Sequence, residues 1–330
     1  MSRPVTLFTG QWADLTFDTI CQKAKSFGYE GLEIASWGDH IDLEKAATDT
    51  GYVEERKAIL KKHGLGCWAI GTHIIGQAVA DHYDERLDAF TPSACHGDAK
   101  KTRDWAVEQM KYAPLAAKNM GVNVVTGFTG SPIFRWWYSF PPTTDEMVDN
   151  GFKEVVKLWT PIFDEFDKHG VKFALEIHPG EIAFDYWSWV RLLKAFGGRK
   201  TLGFNFDPSH LVWQGVRGEL LIRDFPDRVY HVHMKDAQVR LDGRAGILGS
   251  HINFGDPRRG WNFVSLGHGD VDFDAVIREL NSIGYEGPLS VEWEDNGMDR
   301  EFGATEACEF VKRMNFSPST VAFDKDMAKD

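Results

Sequence analysis

Four short strings in the second half of the 330-residue chain carry acids and imidazoles at alternate positions. Phe173-Ala174-Leu175-Glu176-Ile177-His178 pairs Glu176 with His178, and Gly203-Phe204-Asn205-Phe206-Asp207 pairs Asn205 with Asp207. His231-Val232-His233-Met234-Lys235 groups His231, His233 and Lys235, and Ser290-Val291-Glu292-Trp293-Glu294 pairs Glu292 with Glu294. In an extended strand, alternate residues share one face. Four successive strands therefore direct acids, histidines and a lysine toward one place. Burying one unpaired charge is costly, and burying several acids together is worse. A divalent cation resolves the repulsion. Taken singly, each residue reads as a capping acid or a satisfied histidine. At corresponding strand ends they read as a site, with Glu176, Asp207, His233 and Glu292 as the metal ligands. Three carboxylates and one imidazole form a harder donor set than a structural Cys/His zinc site. The expected cofactor is one divalent ion, Mn²⁺ first, with Mg²⁺, Co²⁺ or Zn²⁺ as alternatives.

The elements that must hold these residues alternate between two periods. Apolar runs of buried-strand type fall near Val5–Thr9, Gly31–Ala35, Gly66–Thr72, Asn123–Phe128, Lys172–His178, Leu202–Asp207, Val229–Lys235 and Pro288–Glu294. Helical segments fall near Thr16–Phe27, Tyr52–His63, Ala99–Met120, Thr144–His169, Tyr186–Phe196, Glu219–Phe225, Phe273–Ile283 and Thr305–Met314, several ending at Gly. Eight strand–helix repeats predict an α/β fold, a single (β/α)8 barrel over residues 1–316 with a tail over 317–330. A doubly wound open sheet is the competitor, but no GxGxxG follows an early strand. Gly267-His268-Gly269 reads as a turn, with Asp270 or Asp272 capping the next helix. In a barrel of this kind the functional groups sit at the C-terminal strand ends, where all four strings place theirs.

Composition narrows the class. Apolar residues make up 43% and the net charge is −12, so the chain lacks a global attraction for nucleic acid or anionic membrane. Cys21, Cys67, Cys95 and Cys308 show no CxxC spacing, which favours a reducing compartment over a disulfide framework. The first residues carry too short an apolar run for a signal peptide, and no stretch matches a membrane span. The expectation is a cytoplasmic protein.

The strings Ala-Leu-Glu-Ile-His-Pro (174–179), Asn-Phe-Asp-Pro-Ser-His (205–210), His-Val-His-Met-Lys-Asp (231–236) and Val-Glu-Trp-Glu-Asp (291–295) resemble those of the xylose-isomerase-like barrel superfamily. That superfamily includes sugar isomerases, ketose 3-epimerases, inosose dehydratase, endonuclease IV-type enzymes and the α subunit of C-glycoside deglycosidases. The resemblance runs from Val5 to about Phe316 and is specific for fold and metal site, less so for substrate. It implies that Glu176, Asp207, His233 and Glu292 are ligands and that the two glutamates also exchange protons with substrate. It further implies that His210 contacts substrate, as Glu181 and Arg240 do by looser spacing.

Upstream strand ends add His73 as a substrate or second-metal contact, and His178 as a proton-transfer base, imidazole being suited to neutral acid–base work. Lys235 shares the inward face with His233 and is expected to contact substrate or an oxyanion. Three loops are long: Ile74–Asp98, Thr129–Thr143 and Ala237–Val271. The second carries Phe134, Trp136, Trp137, Tyr138 and Phe140, whose faces suit sugar C–H faces, a planar aglycone or a subunit interface. Trp136 is the substrate-binding candidate among them. The third carries Arg240, Arg244, His251, Arg258 and Arg259, suited to an anionic substrate, a partner or solvent.

The leading function is metal-dependent enolisation of a sugar or keto-sugar, giving an isomerase or epimerase. The alternative is a lyase that expels an aglycone from a 3-keto-glycoside. An endonuclease fits poorly, because Thr126-Gly127-Phe128-Thr129 lacks the histidine that family places there and the chain is acidic. A non-catalytic sugar-binding subunit fits poorly with an intact ligand set. The expected assembly is a homo-oligomer, with room for a small partner subunit.

Overall fold

A computed structural model describes residues 3–321. Strands β1 (Val5–Phe8), β2 (Gly31–Ala35), β3 (Gly66–Gly71), β4 (Val124–Gly127), β5 (Lys172–Glu176), β6 (Leu202–Phe206) and β7 (Val229–Met234) run parallel around a barrel that β10 (Leu289–Val291) closes. Closure is by the parallel pairing Val5↔Leu289 and Leu7↔Val291. This is the (β/α)8 barrel expected from the alternating periods. The tail expected over 317–330 lies outside the described residues from 322 onward.

The helices follow their sequence signals. α1 (Phe17–Ser26), α3 (Thr50–His63), α5 (Ala99–Met120), α6 (Asp145–His169), α7 (Tyr186–Ala195), α9 (Glu219–Asp224) and α10 (Phe273–Ser282) occupy the expected segments, and α11 (Arg300–Met314) begins before the expected Thr305, where Asp299 caps it. Capping side chains start them: Thr144 accepts from Met147 N at α6, and Asp272 accepts from Ala275 N at α10. Gly170 ends α6 at φ 69°, where a Cβ would be strained. The apolar stripe of α6 shows how a helix covers the barrel. Trp159, Phe163 and Phe166 recur at helical spacing and all meet Phe173 of β5, with ring centroids 4.9–5.7 Å apart. Each such burial contributes ~1.5–3 kcal/mol.

Three short helices lie where the sequence shows loops. α2 (Leu43–Thr48) precedes α3, α4 (His73–Ala80) opens the first long loop, and α8 (Ser209–Val212) follows β6. α4 packs so closely on the β4 end that a Cβ on Gly76 would strike the Phe128 carbonyl oxygen. The third long loop is also not a simple loop. It holds an antiparallel hairpin of β8 (Asp236–Val239) and β9 (Trp261–Val264), with Asp236↔Val264 and Val239↔Trp261 in register. Asp236 fastens both ends of this insertion. Its carboxylate accepts from the backbone N–H groups of Ala237, Gly267, Gly269 and Val271 at 2.9–3.2 Å. Gly267-His268-Gly269 is thus a turn aimed at a carboxylate.

Candidate metal centre and reaction cavity

Glu176 ends β5, Asp207 follows β6, His233 lies in β7, and Glu292 follows β10. Strand register brings them together, with Glu176 beside Asn205 and His233 beside Ser290. One donor atom from each of Glu176, Asp207, His233 and Glu292 lies within 4.8 Å of all the others, and all four residues are buried.

The orientation of each donor is fixed from behind. Asp207 Oδ1 accepts from Ser209 N at 2.8 Å, which turns Oδ2 to the centre. Asn205 Nδ2 donates to Glu176 Oε2 at 3.0 Å. His233 Nε2 donates to Glu33 Oε2 at 2.9 Å, which leaves Nδ1 facing Glu176 Oε2 at 3.1 Å and Glu292 Oε2 at 2.9 Å. Asp207 Oδ2, His233 Nδ1 and Glu292 Oε2 are buried without a hydrogen-bond partner. Lone pairs face lone pairs there, and only a proton or a cation between them resolves the contact. The residues present fit one divalent metal ion with hard donors.

The electrostatics are those of an acid cluster that holds protons on the imidazoles of His233 and His210 and on Lys235. Burial opposes a charge on His233, but Glu33, Glu292 and Glu176 outweigh it and hold its pKa well above the ordinary imidazole range. His210 Nε2 lies 3.2 Å from Glu176 Oε1 and 3.3 Å from Asp207 Oδ2. Burial lowers its pKa, Asp207 and Glu176 raise it, and the balance is about 9. His178 goes the other way, because burial and then His210, with ring centroids 4.0 Å apart, keep it neutral well below the usual range. Lys235 donates to Glu294 at 3.0 Å, lies 3.3 Å from Glu292 and stays charged despite burial.

These groups form the floor of a cavity of about 1250 Å³ that opens at the C-terminal strand ends. Glu176, Glu292, His73, His178, His210 and Lys235 all line it. His73, the first residue of α4 rather than a loop residue, reaches Glu176 Oε2 with Nε2 at 3.1 Å. Three sequence candidates lie elsewhere. Glu181 points away from the cavity, where Oε2 accepts from Thr129 N and Gly130 N, both at 2.7 Å, and holds the turn after β4. Burial lifts its pKa to about 8. Arg240 is exposed beyond β8, bound through its backbone N–H to Gly260 O, so its side chain does not line the cavity. Trp136 faces two outer pockets, and its neighbour Trp137 lines the cavity instead. Local strand spacing gives no hold on where a side chain points within a long loop.

Two residues went unnoticed in the sequence. Glu33, in the middle of β2, accepts from His231, His233, Ser290 and Thr126 in the barrel interior. His231 thus belongs to this interior network rather than to the mouth. A lone acid inside the apolar run Gly31-Leu32-Glu33-Ile34-Ala35 is the signal that marks it. Gln11 donates to Glu292 at 2.8 Å and to Glu294 at 3.2 Å.

With this geometry in view, the relatives take on meaning. The Bacillus subtilis protein YfiH is 25% identical over 328 residues, covering 92% of this chain and 97% of its own. The inosose dehydratase of Clostridium beijerinckii is 31% identical over 172 residues, 52% of this chain and 54% of its own. The crystal structure of the Escherichia coli 3-keto-D-glucoside 4-epimerase YcjR matches the fold with a TM-score of 0.66 at 15% identity, covering 94% of this chain and 99% of that one. The family model for the xylose isomerase-like TIM barrel matches residues 21–314, and the chain belongs to that family.

Proposed function

We propose that this protein is a divalent-metal-dependent enzyme that enolises a sugar or keto-sugar, with isomerisation or epimerisation as the outcome. The observation that carries the reading is the convergence of three unpartnered, buried donor atoms from Asp207, His233 and Glu292 beside Glu176. Glu176, Asp207, His233 and Glu292 would hold the ion, and Mn²⁺ suits their donors. A bound divalent cation supplies Lewis-acid polarisation of vicinal substrate oxygens.

The remaining steps belong to the side chains. Neutral His178, which lines the cavity, accepts the proton next to the carbonyl. Glu176 and Glu292 are the carboxylates placed to exchange protons from the floor. The His210 imidazole and the charged Lys235, both lining the cavity, stabilise charge that develops on the substrate oxygens. His73 presses on Glu176 and completes the wall. Return of the proton to the neighbouring carbon gives an isomerase, and return to the opposite face an epimerase.

A second reading, favoured by the likeness to inosose dehydratases, is a lyase: the same proton is abstracted and the group on the β carbon departs. Both readings are tested by metal analysis followed by NMR of keto-sugars and 3-keto-glycosides in D₂O. Metal-dependent deuterium entry beside the carbonyl is the expected result. A second product lacking the β substituent selects the lyase. No exchange on any of these compounds by metal-replete protein would overturn both.

A further inference from the structure

We propose that the outer half of the cavity is a subsite for a planar aromatic substituent carried by the sugar, a proposal that rests on the enolisation reading for the floor. The space is the first observation. At about 1250 Å³ the cavity exceeds the ~300–1,000 Å³ that ligand pockets usually offer, and a single sugar ring leaves much of it open.

The second observation is how the lining is divided. Ionisable groups concentrate on the floor, whereas the lining as a whole holds eleven Phe and Trp side chains against three of Ile and Leu. Flat rings at this ratio suit a flat ligand better than a flexible acyl chain. The β8–β9 insertion supplies one wall. Phe263 packs against His210 at 5.2 Å and stacks on Phe254 at 5.1 Å and 23°, so the aromatic surface begins one ring away from the reacting groups. Phe90 and Trp137 also line the cavity. Phe254, Phe90 and Trp137 remain 44%, 54% and 55% exposed, a large apolar surface left to water around a cavity.

The third observation separates an aromatic group from a second sugar. A sugar ring needs several hydroxyl partners, and most polar groups named on the wall are already bonded within the protein. Trp261 Nε1 donates to Ile247 O, Trp37 Nε1 to Gly10 O, and Gln214 Nε2 to Phe184 O and His210 O. The Arg259 guanidinium lies over Phe254 and Trp261 at 3.9 and 4.7 Å and donates to Ile252 O. Three buried groups on the outer lining stay unpaired, the Thr91 hydroxyl, the Trp213 indole N–H and the Arg259 Nε–H. Three isolated partners on separate residues suit a planar ring with a few polar substituents.

The test is calorimetric titration of Mn²⁺-loaded protein with phenyl β-D-glucopyranoside, methyl β-D-glucopyranoside and cellobiose, in the wild type and in Phe254→Leu. The substitution keeps apolar bulk and removes the ring face, and its fold is checked by circular dichroism. Stacking on the wall predicts that the phenyl glucoside binds about tenfold tighter than the methyl glucoside. Cellobiose should bind no better than the methyl glucoside, and Phe254→Leu should shrink the phenyl advantage to about threefold or less. Equal or absent binding of the phenyl glucoside, preference for cellobiose, or an undiminished advantage in Phe254→Leu would each overturn the proposal. Deuterium exchange on free keto-sugars tests the floor alone, so failure there is distinguishable from failure here.

Discussion

Glu33 accepts the Nε2 proton of His233 at 2.9 Å, and that one contact decides which nitrogen of the imidazole meets the carboxylates. Glu33 is fully buried, and although burial works against its charge, His233 and His231 hold its carboxyl well below the usual range. It therefore acts as acceptor and the proton stays on Nε2, so Nδ1 is the nitrogen from which a metal would displace the proton. Glu33→Gln weakens this arrangement without adding bulk. The expected result is metal affinity lower by ~10–100-fold, measured by titration calorimetry on protein whose circular dichroism is unchanged. Unaltered affinity would show that His233 is oriented by other means.

The ligand assignment makes a direct prediction. Glu176→Gln and Asp207→Asn each remove a charged donor while nearly preserving shape. Both variants should fold and bind less than one equivalent of divalent ion by elemental analysis, with proton exchange sharply reduced. Full metal content with normal turnover in both would remove these residues from the site.

Glu181 gives a prediction for stability. Its pKa rises from 4.5 to about 8 in the folded chain through burial, so near neutrality the folded state holds a proton that the unfolded state has released. The contribution is fully present below the unfolded pKa of about 4.5, declines as pH rises, and is lost above the folded pKa of about 8. The slope from this group is at most ~1.4 kcal/mol per pH unit. Glu181→Gln should remove that decline, as read by urea unfolding at several pH values. Parallel profiles for wild type and variant would contradict it.

Gly76 is the point where α4 touches the end of β4. A methyl group there meets the Phe128 carbonyl oxygen, which is backbone and yields only if the helix moves. Gly76→Ala should cost ~1–3 kcal/mol, seen as a lower Tm. It should also disturb His73, three residues away on the same helix, and with it the contact to Glu176. An unchanged Tm would mean that the contact relaxes freely.

The barrel and its candidate ligands were legible because both depend on local pattern. Glu176, Asp207, His233 and Glu292 stand at the ends of apolar runs, and the alternation of strands and helices fixes those ends to one rim. Glu33 was not legible as a partner of His233, because 200 positions separate them and only barrel closure brings β2 and β7 to the same interior. α4 was hidden by Gly76 and by the β-branched Ile74 and Ile75, poor helix formers that tertiary packing overrides. The β8–β9 hairpin was hidden by a separation of more than twenty residues between its strands, where no tight-turn signal joins them. Arg240 rests on a resemblance of loose spacing and Trp136 on membership of an aromatic string, and neither signal fixes side-chain direction in a long loop, where neither residue lines the cavity.

The four N–H contacts gathered by Asp236 have a consequence for how such an enzyme diversifies. They pin the insertion at Ala237 on one side and at Gly267, Gly269 and Val271 on the other, immediately after Lys235. The stretch between Val239 and Trp261 is bounded by paired strands and contributes no ligand from the four-residue cluster. It can be rewritten in length and composition while the strand ends beneath keep their places. One clamped carboxylate thus separates inheritance of the chemistry from inheritance of the specificity, and new substrates become reachable by exchanging a single surface cassette.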